Sequence, residues 1–203
     1  MNEADIIFVK KFSYITEDAI NLSQLPMLVR RRLNLMEKLA ITSMQEVFID
    51  TNVNVIFSSK FGEIDRSIKI IEQYTKENTA SPTEFMLSVH NTIPSVFSIL
   101  NKITNSYNSI SAGDNSFYAG ILDGIMQIES ADSLVCYVDS ENKNYAAALL
   151  LSKNSENHLL KLKFKLNSVQ TEPDNDFKTF FEGEKTKLNC GIFSLEKVNR
   201  CIL

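Results

Sequence analysis

The chain has 203 residues, a formal net charge of −4, and hydrophobic and charged shares of 44% and 23%. That length suits one domain with a sizeable core over residues 1–203, and the acidic balance leaves no whole-chain basic field for nucleic acid. With two histidines, three cysteines (Cys136, Cys190, Cys201) and no CxxC spacing, the sequence offers no disulfide framework, zinc site or multi-imidazole chemistry, so no metal and no cofactor is expected. The N-terminal MNEADIIFVKK places acidic residues before a short apolar run, unlike a secretory signal. No apolar run reaches the about 18 residues that span a membrane. The expectation is a cytoplasmic protein with reduced thiols.

In chain order, residues 6–9 are a buried-strand candidate, with Phe12, Tyr14 and Ile15 either continuing it or lying in a loop. Leu25-Pro26 marks a break. Residues 28–41 carry apolar positions at helical spacing and extend towards Phe48, with Arg30, Arg31 and Arg32 at the start. That arginine cluster could hold an anion or form a solvated, salt-bridged helix start. Residues 53–58 (VNVIFS) are a second strand. Gly62 then turns the chain into a helix over 64–77, with Ile68, Ile71 and Tyr74 on one face; neither GxGxxG nor a P-loop is present there.

The chain is organised around residues 81–128. Ser81-Pro82 opens a turn. Val89, Ile93, Val96, Phe97 and Leu100 follow near helical spacing, then a β-type run over 107–111, the small pair Ala112-Gly113, and a helix over 117–128. Strand, tight turn and helix form the geometry that holds a nucleophile at a helix N-terminus. Asp114 occupies the tip. Residues 134–138 and 146–152 are further buried strands with a polar loop between them. Residues 159–166 alternate apolar residues with lysines as a half-exposed strand does. A short helix is expected over 177–182, and the tail from Lys185 is weakly patterned. Strands alternating with helices predict an α/β layer fold with a partly parallel sheet and an antiparallel extension.

These residues resemble a known family. The run from Ser81 to Asp114 is similar to the corresponding stretch of β-ketoacyl synthases, the condensing enzymes of fatty-acid and polyketide synthesis. Ser81-Pro82 resembles the pair that opens their dimer-interface segment, and Asn91 falls on their asparagine before a small-residue pair. Ser109-Ile110-Ser111-Ala112-Gly113-Asp114 lies over their nucleophile motif, and Gly120-Ile121 over an Ala-Ile pair on the next helix. Arg30 to Ile41 and Phe57 to Arg66 resemble their arginine-led helix and strand-glycine-helix turn. SPTEFMLSVHN and GDNSF resemble most closely the β-ketoacyl synthase-like proteins, stand-alone N-terminal halves that occur with aryl-polyene systems.

The resemblance implies a thiolase-like half-fold, layered α/β/α, with a mixed, mainly parallel sheet and an antiparallel extension. It also implies no catalytic residue, since Asp114 replaces the nucleophilic cysteine and the decarboxylating histidine pair and lysine belong to a C-terminal half. A carboxylate is a poor nucleophile towards a thioester. The implied function is a non-catalytic, chain-length-factor-like partner of an active ketosynthase. Glu84, Phe85, Met86 and Leu87 would reach the partner's acyl tunnel, and His90 and Asn91 would lie at the interface. Set beside this, Phe85, Met86 and Leu87 could be ordinary core, His90 a hydrogen-bonded core histidine, and Asp114 a helix cap. Two rival functions are an acyl-carrier-protein docking module using Arg30, Arg31 and Arg32, and a hydrolase using Ser111 or Ser116 with His90 and Asp114. A half-fold should also leave the Val89 to Leu100 and Ile121 to Ile128 faces uncovered, giving a homodimer when alone and a heterodimer with its ketosynthase.

Overall fold

The computed structural model describes residues 6–139, 144–167, 173 and 176–198. Cys201 and most of the two polar loops expected around 139–144 and 169–176 lie outside them. The strands are β1 (Ile6–Thr16), β2 (Val53–Ser59), β3 (Tyr107–Ile110), β4 (Asp132–Asp139), β5 (Tyr145–Ser152), β6 (Leu160–Leu166), β7 (Lys187–Asn189) and β8 (Phe193–Lys197). They form an eight-stranded sheet in the order β3-β2-β4-β5-β1-β6-β8-β7. The helices are α1 (Met27–Arg30), α2 (Leu35–Val47), α3 (Ile64–Glu77), α4 (Pro82–Leu87), α5 (Thr92–Asn101), α6 (Ser116–Gln127) and α7 (Phe177–Phe181).

The mixed α/β/α layering is as expected. The mainly parallel sheet holds in one sense and is corrected in another. Strands β1 to β4 run the same way, but only β2–β3 and β2–β4 are parallel pairs, and the other pairs are antiparallel. The reason is β5, which lies between β4 and β1 and runs against both. From β2 the chain crosses to β3 through α3, α4 and α5, then returns past β2 to β4 through α6. Right-handed crossovers travelling in opposite directions must use opposite faces. Accordingly, α5 packs with α2 on one face and α6 with α7 on the other.

Period-two alternation supplies both cores. Val55, Phe57, Leu134, Cys136, Ala148 and Leu150 face α2 and α5, whereas Ile56, Val135, Tyr137, Ala147, Leu149 and Leu151 face α6 and α7. Under α7, Phe177 stacks on Phe117 with centroids 3.8 Å apart, next to Tyr14 and Tyr145. Strand β1 is a single strand through Thr16, with an extra residue, Lys10, between the pairs Val9↔Leu151 and Lys11↔Leu150. That bulge exchanges the two faces, so Ile7 and Val9 share a core with Phe12 and Tyr14.

The expected helix over 28–41 is instead two helices. Asn34 interrupts it with a capping box: Asn34 Oδ1 accepts from the Glu37 N–H at 2.8 Å, and the Glu37 carboxylate accepts from the Asn34 N–H. The weakly patterned tail forms β7 and β8, turned by Gly191 at φ +84°.

The two apolar faces expected to be uncovered are largely covered by the chain's own sheet. Ile93, Phe97, Ile121 and Ile128 are buried, with Val89, Ile99 and Met126 as exposed exceptions. Helices α3 and α4 together expose Ile64, Ile68, Ile71, Tyr74, Phe85 and Met86.

Candidate functional site

The site lies at the C-terminal ends of the parallel strands, where open α/β sheets form their binding crevice. After β3, Gly113 at φ +58° reverses the chain and α6 starts at Ser116. Buried Ser116 stabilises this elbow: its Oγ accepts from the Ala112 N–H at 3.0 Å and donates to the Gly113 carbonyl at 2.6 Å. A second turn, after β2, lies alongside. There the Gly62 N–H donates to Ser59 Oγ at 3.0 Å, and Ser111 Oγ donates across to the Lys60 carbonyl at 2.7 Å.

Asp114 stands at the elbow with its side chain 87% exposed, ion-paired to Lys60 Nζ at 2.7 Å. It is not the helix cap: Asn115 holds that position, and no side chain makes a cap bond there. An ion pair this exposed contributes about 0–1 kcal/mol, so Asp114 is not a structural anchor. Cys136 lies inside the sheet, where burial pushes its thiol above the usual range, and Cys190 is also buried. Among the described residues, therefore, no cysteine is presented at the elbow.

His90 is half-buried. Its Nε2 is hydrogen-bonded with Ser59 Oγ at 2.9 Å, its ring meets Phe57 edge-on, and burial lowers its pKa. It is a satisfied histidine, packed under Gly62, where an added Cβ would come within 3.1 Å of the ring. The proposed hydrolytic group does not assemble. Ser111 is bonded to Lys60, Ser116 to its own turn, His90 to Ser59 and Asp114 to Lys60.

On α4, Phe85 is 62% and Met86 67% exposed, and Leu87 is half-buried. The ordinary-core alternative therefore fails for Phe85 and Met86. Asn91 is exposed and precedes α5 without capping it through its side chain. The arginines divide. Arg30 and Arg31 line a shallow cleft of about 550 Å³ with Lys38, Ile20, Leu22 and Met27, whereas Arg32 borders a different cleft of about 530 Å³ with Glu63, Arg66 and Glu84.

Beneath that second cleft is an ionic cluster that the sequence reading missed. Arg66 of α3 is 9% exposed. Its Nη2 donates to Glu37 Oε2 at 2.8 Å and to the Arg32 carbonyl at 2.9 Å, Nε lies 3.3 Å from Glu63 Oε2, and Nη1 donates to Glu84 Oε2 at 3.0 Å. The Asn34-x-x-Glu37 capping box and the Glu63–Arg66 spacing on one helix face were the available signals.

Burial, then the neighbouring Glu37 carboxylate, push Glu63 up to about 7, against the pull of Arg66 and Asn34. From its ordinary 4.5 to about 7, the folded chain keeps this proton while the unfolded chain releases it. Stability from this group is therefore lost as pH rises through that window. Glu63→Gln removes the effect. Relative to wild type, the mutant should gain about 1–3 kcal/mol between about pH 5 and about pH 8, checked by urea unfolding at both.

The sequence matches the family described as beta-ketoacyl synthase, N-terminal domain, over residues 10–190. The chain belongs to this family. A search of curated protein sequences found no match. Among solved structures, it is similar to a chain of the ketosynthase (ApeO) in complex with its chain length factor (ApeC) from Xenorhabdus doucetiae. That match has TM-score 0.71 and 21% identity, covering 95% of this chain and 99% of that one. It is also similar to a chain of the ishigamide ketosynthase/chain length factor, with TM-score 0.54, 10% identity, and 67% and 50% coverage. A third likeness is to AntDE:AntF, a type II polyketide synthase acyl-carrier protein in complex with its ketosynthase, with TM-score 0.65, 11% identity, and 87% and 72% coverage. At these identities the shared property is the ketosynthase, thiolase-like fold. Among the described residues, no helix is long and apolar enough to cross a membrane.

Proposed function

We propose that this chain is a non-catalytic, chain-length-factor-like subunit. It pairs with an active β-ketoacyl synthase in fatty-acid, aryl-polyene or polyketide-type chain elongation and helps shape the partner's acyl tunnel. The observation that carries the reading is the elbow, which keeps the backbone of a nucleophile site but presents an exposed, ion-paired carboxylate at Asp114. An aspartate is a poor thioester nucleophile, and a mixed anhydride formed there would hydrolyse. Further support comes from Phe85 and Met86, which are apolar yet exposed on the segment assigned to the interface by resemblance. The near-complete coverage of a chain from a ketosynthase–chain length factor complex agrees with it.

The test is co-expression with the condensing enzyme encoded nearest to it, followed by light scattering and product analysis. A one-to-one complex is expected. Phe85→Ala and Met86→Ala should each shift the product distribution by two or more carbons, because truncation opens tunnel volume. A chain that stays apart from every ketosynthase offered sinks the proposal.

A second reading has one observation behind it: Arg30, Arg31 and Lys38 around an apolar floor suit an acidic acyl-carrier protein. On that reading, reversing the charge of Arg30 and Arg31 should abolish carrier binding and leave the ketosynthase complex intact.

A further inference from the structure

We infer that Arg66, acting through Glu84, is a positioning residue that fixes where Phe85 and Met86 stand. The functional half of this inference rests on the chain-length-factor reading; the structural half does not. Helix α4 buries none of its six residues. Apart from its connection to α3, it is held by few polar ties. Ser81 Oγ accepts from the Glu84 N–H at 3.3 Å, Thr92 Oγ1 donates to the Met86 carbonyl at 3.2 Å, and the Glu84 carboxylate meets Arg66 at 3.0 Å. Thr92, itself buried, holds the last turn of α4 through a backbone carbonyl, whereas the Arg66 contact is the one of these three that fixes an α4 side chain to another element.

The guanidinium is set in advance. Its Nη2 is occupied by Glu37 and the Arg32 carbonyl, and Nε lies against Glu63, which leaves Nη1 directed at α4. An arginine fork with its other edges occupied has little freedom, so the carboxylate that binds it inherits that placement. Glu84, expected from sequence to reach the partner, is half exposed and holds Arg66 through its carboxylate. The two residues after it, Phe85 and Met86, are exposed apolar side chains. On this account the acyl-tunnel wall is set by an ion pair behind it, and Arg66 touches neither acyl chain nor partner.

The experiment compares Glu84→Gln with wild type as isolated full-length protein, by hydrogen–deuterium exchange over residues 82–88. Because Glu84 is half exposed, the mutant should exchange about threefold faster there, with α2 and α5 unchanged. Raising salt to about 1 M should accelerate exchange in wild type and leave the mutant unaffected, a response that loss of packing would not give. Equal rates in the two proteins, or equal salt response, overturn the tether. In the ketosynthase complex, Glu84→Gln should broaden the product-length distribution at unchanged stoichiometry. If Phe85→Ala shifts products and Glu84→Gln does not, the specificity role is overturned. If no ketosynthase binds the chain at all, the partner reading fails and the exchange result alone decides the tether.

Discussion

Replacing Arg66 by methionine is expected to cost about 3–5 kcal/mol of folding stability, because it leaves two buried carboxylates without their shared cation. Glu37 is 1% and Glu63 4% exposed, so water cannot take the place of the lost guanidinium. Set against a typical total of about 5–15 kcal/mol, the variant would be marginal or unfolded. The loss should shrink at acidic pH, where protonating Glu63 removes its need for a cation; a cavity left by the side chain would not respond that way. Urea unfolding at about pH 8 and about pH 5 separates the two causes. A loss equal at both would show that packing of the Arg66 stem, and not its charge, holds α2 to α3.

The second large effect is expected at Gly124. A Cβ there would lie 2.4 Å from Val135 Cγ2 and 3.3 Å from Leu151 Cδ1, and one at Gly120 would lie 2.6 Å from Ser58 Oγ. Both glycines let α6 lie directly on β2, β4 and β5. Valine's methyl is on a β-branched stem inside a strand and has no free rotamer into which to retreat. Gly124→Ala gains about 1 kcal/mol in helix propensity but pays for overpacking, for a net loss of about 2 kcal/mol. Gly124→Val adds two further methyls and should cost about 3 kcal/mol or more. Thermal unfolding of both variants gives the order. If Gly124→Ala proves stabilising, α6 can rise off the sheet, and the elbow carrying Asp114 would rise with it.

Much of the fold was legible because single residues punctuate it. Gly62 and the strand before it located β2 and α3, whereas Ser81-Pro82, read as a turn, is the capped start of the short helix α4. Alternating lysines gave β6. Asn34 was readable as a helix start, yet the apolar period on either side of it ran on and concealed the break. Periodicity also told which residues share a face without telling what covers it. The faces of α5 and α6 looked uncovered because their partner, the sheet, is assembled from strands far apart in sequence. The uncovered face belonged to α3, whose Ile68, Ile71 and Tyr74 had the same pattern. For the site, Asp114 and its elbow were visible from the order strand, small pair, helix. Its pairing with Lys60 was not, since two separate strand–helix turns must first be set side by side. Arg66 was invisible for a related reason: one arginine within a polar helix looks solvated until the carboxylates of α2, the α3 start and α4 are placed around it.

The extra residue in β1 constrains how this chain can vary in length. Lys10 lets Ile7 and Val9 on one side, and Phe12 and Tyr14 on the other, enter the same core although their spacing is odd. Its ammonium is also tied to Asp132 at the start of β4, at 2.9 Å. Deleting Lys10 would leave both pairs on one face of a regular strand, whereas deleting Ser13 would turn Tyr14 away from the aromatic layer. Loops of related chains can gain or lose residues at small cost, but within this strand, away from the bulge, one residue more or fewer exchanges the two faces beyond it.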